Sequence, residues 1–112
     1  MAKKIGTSTN TNPEAFALDP IECDKDFAVT LLPAQNVLPD GEELPRIAVW
    51  VHNDDKEDLW VRFYPASVDD EKKGLLVEGG KSMKVMDNSD IYTGEISGIM
   101  EKGKGDIYVT WY

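Results

Sequence analysis

Arg46-Ile47-Ala48-Val49-Trp50-Val51-His52 and Leu59-Trp60-Val61-Arg62-Phe63-Tyr64 are the two stretches whose reading decides the fold. In each, an aliphatic or Phe side chain recurs at every second position. A strand sends successive side chains to opposite faces. Ile47, Val49 and Val51 therefore share one face of the first stretch, and Leu59, Val61 and Phe63 share one face of the second. Between them lies the charged run Asn53-Asp54-Asp55-Lys56-Glu57-Asp58. Two alternating strands joined by a short polar turn predict a β-hairpin.

Outward from this centre, Phe27-Ala28-Val29-Thr30-Leu31-Leu32 is β-prone and stops at Pro33. A linker from Pro33 to Pro45 carries the turn signal Pro39-Asp40-Gly41. C-terminally, Gly74-Leu75-Leu76-Val77-Glu78 reads as a strand and Gly79-Gly80 as a tight hairpin turn. Lys81 to Asp87 returns, Asn88-Ser89-Asp90 turns again, and Ile91-Tyr92-Thr93 and Glu95–Met100 read as short strands. In Asp106-Ile107-Tyr108-Val109-Thr110-Trp111-Tyr112, Ile107, Val109 and Trp111 take one face, and Tyr108, Thr110 and Tyr112 the other. The last two aromatics read as a terminus packed in place. No 11-residue window keeps a helical apolar stripe. The chain is therefore expected to be all-β, an antiparallel β-sandwich or small barrel of seven to eight short strands. Residues 1–25 have no sustained period, and Gly6 to Pro13 is small and polar. They are expected to form an extended N-terminal arm, frayed or ordered on a partner, ahead of a β-domain over 26–112.

The chain has 112 residues, enough for one domain, and 41% of them are hydrophobic, too many for a chain disordered throughout. Its 12 Lys and Arg against 21 Asp and Glu give a net charge of −9. That balance opposes nucleic acid, which needs clustered cations to displace counterions, and it opposes anionic lipid. No run is long and apolar enough to span a membrane, and no apolar segment follows Lys3-Lys4 as a secretory signal would require. The single cysteine, Cys23, permits no intrachain disulfide and fits a reducing compartment.

Each candidate for chemistry meets a plainer alternative. Gly79-Gly80-Lys81-Ser82 has the end of a phosphate-binding loop, but Leu75 stands where that motif needs glycine, and a strand follows in place of a helix. The carboxylates of 54–58 and of Asp87 and Asp90 offer oxygen ligands for calcium, yet neither set has EF-hand spacing, and acidic turns are ordinarily solvated. Cys23 and His52 supply a thiol and a base, with no third group indicated. Paired carboxylates for glycoside hydrolysis sit in turns of a chain with little room for a deep cleft. The reading is a non-enzymatic protein with no catalytic residue, no metal site and no cofactor. Trp50, Trp60 and Tyr64 oppose the aliphatic rows, and Arg46 and Arg62 share their parity. They read either as the solvated face of a sandwich or as an interface patch, since Trp, Tyr and Arg dominate hot spots.

From Arg46 to Tyr112 the order of signals resembles a pattern of small structural proteins of tailed bacteriophages. Val51-His52-Asn53-Asp54-Asp55 stands where those chains have Val-x-Asn-x-x-Asp, and an aromatic strand, Leu59 to Tyr64, follows. A glycine-led strand and turn come next, Gly74 to Gly80, then Tyr92-Thr93-Gly94-Glu95-Ile96 for Tyr-x-Gly-x-Ile. Val109-Thr110-Trp111-Tyr112 closes the pattern. Glu78-Gly79-Gly80 departs from the Pro-Gly expected there. The resemblance implies a β-sandwich virion protein, assembled in the host cytoplasm and lying on the capsid surface. Its role would be capsid cement or decoration, with the major capsid protein or another virion protein as partner and a homo-oligomer, favouring a trimer. Trp50, Trp60, Tyr64, Arg46 and Arg62, with Asn10, Asn12 and Phe16 of the arm, are the expected contacts. A head–tail connector or fibre-attachment role, or a carbohydrate-binding β-sandwich, stays open as an alternative.

Overall fold

A computed structural model describes residues 20–35, 45–68 and 74–112. Among the described residues eight strands form: β1 (Ile21–Asp24), β2 (Val29–Leu32), β3 (Val49–Asn53), β4 (Leu59–Arg62), β5 (Leu75–Val77), β6 (Ser82–Met86), β7 (Ile96–Met100) and β8 (Lys104–Trp111). They form two four-stranded sheets, sheet I in the order β1-β8-β3-β6 and sheet II in the order β2-β7-β4-β5. All six neighbouring pairs are antiparallel. The pairs β1–β8, β2–β7, β3–β6 and β4–β5 form one long ribbon with its tip between β4 and β5. Folding that ribbon over itself brings β3 beside β8 and β4 beside β7. This is the strand order of an eight-stranded jelly roll.

The facing expected from alternation holds from Val49 onward; ahead of β3, Ile47 is only half-buried while Ala48 and Arg46, expected on the outer face, are buried. Val49, Val51, Leu59, Val61, Ile107 and Val109 are buried between the sheets, with Ile96 and Met100 from β7. Phe63 and Trp111 pack against this core from its rim.

The expected hairpin does not form. β3 lies in sheet I and β4 in sheet II, so residues 53–58 cross from one sheet to the other. Alternation sets which side of a strand is buried but not which strand lies beside it. The acidic run is wired as a corner. Asn53, nearly fully buried, donates from Nδ2 to the carbonyls of Glu57 (2.8 Å) and Val77 (3.1 Å), and its Oδ1 accepts from the Asp55 N–H (3.0 Å). Asp55 Oδ2 accepts from the Glu57 N–H and Asp58 Oδ1 from the Gly79 N–H, each at 3.0 Å. Asx-type bonds of this kind hold a tight turn without a ladder.

Gly79-Gly80 is likewise a crossing, from β5 to β6, and not a hairpin turn. A Cβ on Gly79 would collide with the Lys56 carbonyl, so glycine lets the two crossings pack together. No strand forms over Ile91-Tyr92-Thr93. Tyr92 instead turns inward, edge-on to Phe63 at 5.5 Å, and its hydroxyl donates to the Glu95 carbonyl across the bare face of Gly94.

Ile21–Asp24, placed with the arm by sequence, is an edge strand of sheet I. Cys23 faces the core there with no exposed surface. Four residues with only two apolar side chains facing inward, Ile21 and Cys23, are too few to show a period.

Candidate functional site

The outer face of sheet I brings together aromatic and polar side chains from three strands. β3 contributes Trp50 and His52, β6 contributes Ser82 and Lys84, and β8 contributes Tyr108 and Thr110, with Tyr112 just beyond. Register places Trp50 between Thr110 and Lys84, and His52 between Tyr108 and Ser82. His52 Nδ1 lies 2.8 Å from Ser82 Oγ and Nε2 lies 3.2 Å from Thr110 Oγ1. Burial holds the imidazole below its ordinary pKa, so it is neutral at pH 7 and locks three strands as a donor on one side and an acceptor on the other. The Lys84 ammonium sits 5.6 Å from the centre of the Trp50 ring, within cation–π range. Trp50 is 37% exposed and Tyr112 36% exposed, so the lock supports two open aromatic surfaces. A shallow groove of about 310 Å³ lies at the His52 end, between Ser82 and Tyr108. Towards β1 the face turns acidic: Glu22 and Asp106 are exposed and directly opposite each other in the ladder.

The residues expected to share an interface do not share a face. Trp50 lies on sheet I. Trp60 lies on the outer face of sheet II, where its indole N–H donates to Glu101 at 2.9 Å and Leu76 and Ile99 flank it in register. Arg62 has the parity of Trp60 but is 1% exposed. Its guanidinium donates to Ser97 Oγ (3.0 Å) and to the carbonyls of Val68 (3.2 Å) and Pro65 (2.9 Å), 4.5 Å from the centre of the Tyr64 ring. Arg46, also buried, donates to the carbonyls of Pro33 (2.8 Å) and Gly94 (2.9 Å). Both arginines tie loops to the sandwich and are withdrawn from any contact surface. Asn10, Asn12 and Phe16 lie outside the described residues. Tyr108 and Tyr112 are the interface-type residues the sequence reading passed over. Their shared parity was visible, but that β8 lies beside β3 was not.

Neither the thiol–base pair nor a cation cluster forms. Cys23 points into the core, and burial with the nearby Asp106 charge pushes its thiol up to about 12; His52 points outward two strands away. Among the described residues no three His, Cys, Asp or Glu side chains group as metal ligands. The carboxylates of Asp55 and Asp58 serve backbone N–H groups instead. No family model, curated protein or solved structure matches the chain.

Proposed function

We propose that this chain is a non-enzymatic virion structural protein of tailed-bacteriophage type, a decoration protein that docks on a capsid through the outer face of sheet I. The observation that carries this reading is the pair of open aromatics Trp50 and Tyr112, with the half-buried Tyr108 beside them, mounted on strands locked by His52, Ser82 and Thr110. Rigid aromatics supply contact area at little cost in conformational freedom, and they concentrate binding energy. Jelly rolls are a recurrent architecture of viral shells and of lectins, an analogy of fold alone. The side-by-side Glu22 and Asp106 carboxylates repel one another in the free chain and favour a partner with a basic patch. Symmetry then multiplies a modest contact over the whole shell.

The test is saturation binding to purified shells that lack the protein. Decoration requires hundreds of copies per particle. About a dozen copies or fewer would assign a connector or fibre-attachment role instead. A carbohydrate-binding role is the second reading, favoured by the partly exposed Trp50 on the same face as the polar groove at His52 and Ser82. Glycan-array binding by the isolated chain, with no affinity for shells, would select it.

A further inference from the structure

The two sheets end together on one side of the sandwich, because β6 is the edge of sheet I and β5 the edge of sheet II. Between them opens a groove of about 660 Å³, within the size range of binding clefts. Phe63, Leu75, Val85, Met86 and Tyr92 line it, with Lys84, Asp87 and Asp90 giving it a charged rim, so the flank of the core is reachable from outside. Ile91 stands at its mouth, 44% exposed. Edge strands carry backbone donors and acceptors free to pair with an added strand, and an apolar groove beside such an edge accepts that strand's alternate side chains.

We infer that the chain assembles with itself by strand donation, Ala15-Phe16-Ala17-Leu18 of one copy lying extended in the β5–β6 groove of another. This is the one four-residue apolar run ahead of β1. Phe16 and Leu18 are two positions apart, so an extended chain points both into the groove while the small Ala15 and Ala17 face away.

Chain length excludes a copy's own groove. β1 and β6 are opposite edges of sheet I, three strand spacings apart, or about 14 Å. Leu18 lies three residues before Ile21 and reaches at most about 11 Å from it. Phe16, five residues away, reaches about 18 Å, but β8 and β3 block the straight path. Passing over a face adds roughly 5 Å in each direction, half the spacing of stacked sheets. The segment therefore serves a neighbouring copy. Each copy gives one strand and takes one, an arrangement that closes into a ring when the rotation allows. The inference does not rest on the shell-binding reading, because it is read on the chain alone.

Light scattering of the full chain is the test. The expected mass is at least twice the 12.5 kDa of one chain, falling to 12.5 kDa for Phe16→Asp/Leu18→Asp and for Ile91→Arg, each still melting cooperatively at a Tm lowered only by the loss of assembly. Should Ile91→Arg fail to fold, the arm variant decides alone. Mixing a Leu18→Cys chain with an Ile91→Cys chain under mild oxidation should give the mixed disulfide ahead of either symmetric one, with the buried Cys23 remaining reduced. A monomeric parent chain, a mass unchanged by the arm substitutions, or an intramolecular bridge in a chain carrying both cysteines would each overturn it.

Discussion

Arg62 shows how far a side chain can depart from the role its type suggests. Sequence parity puts it beside Trp60 on an outer face, where an arginine reads as a contact residue. The loop after β4 folds over it instead, and its guanidinium satisfies two loop carbonyls and Ser97 while packing on Tyr64. Arg62→Ala leaves those carbonyls unmet in a buried site and should cost about 3 kcal/mol. In a chain of this size that lowers Tm by roughly 10–15 °C, measurable by calorimetry. His52 makes a second prediction at this scale. Its folded pKa lies below the ordinary 6.5, so folding resists its protonation. The stability it contributes is fully present above pH 6.5 and is lost as the pH falls through the folded pKa. Tm of the parent should therefore fall between pH 7 and 5 more steeply than that of His52→Gln. Parallel profiles would contradict the sign. Which residues face the core was legible because period two is local. Which outward residues a loop then covers was not, because the cover comes from elsewhere in the chain.

At the scale of elements, the turns carry the information that alternation lacks. Most of the strands were visible as short alternating runs, but the polar connections at 53–58 and Gly79-Gly80 both read as hairpins. Only β4 and β5, of all consecutive strands, pair within one sheet. The signs of a crossing are present in retrospect in Asn53, Asp55 and Asp58, spaced to cap their own backbone, and in Gly79, which has to admit the Lys56 carbonyl. Gly79→Ala should cost about 2 kcal/mol through forced separation of the two crossings. Gly80→Ala has open space around it and pays only for a φ of 75°, about 1 kcal/mol. Chemical denaturation of both variants checks the order, and equal losses would mean that the corner is looser than described. The Ile91-Tyr92-Thr93 run misled in the opposite way, since its β-branched and aromatic residues suit a strand. Tyr92 serves instead as a plug against Phe63, with its hydroxyl on the Glu95 carbonyl.

The described residues form a folded ribbon whose first and last strands, β1 and β8, pair in sheet I. The sequence divides the chain after residue 25; the first described strand, β1, begins at Ile21. Removing residues 1–19 should therefore leave a β-domain that still folds cooperatively, its Tm lowered only by what assembly contributes. Removing 1–25 takes away β1, with Ile21 and the fully buried Cys23, and exposes the Ile107 side of the core. That truncation should lower Tm by more than roughly 15 °C or prevent folding. The candidate site was legible only in part, through Trp50 and the parity of β8, because the face is assembled from strands 30 and 58 residues apart in sequence. If that face is the docking surface, its aromatics carry the affinity. The most direct measurement is the binding isotherm of Trp50→Ala/Tyr108→Ala on purified shells, beside its melting curve. The account predicts a loss of about thirtyfold or more per hot-spot residue with Tm little changed. An unchanged affinity in the folded double variant would contradict it.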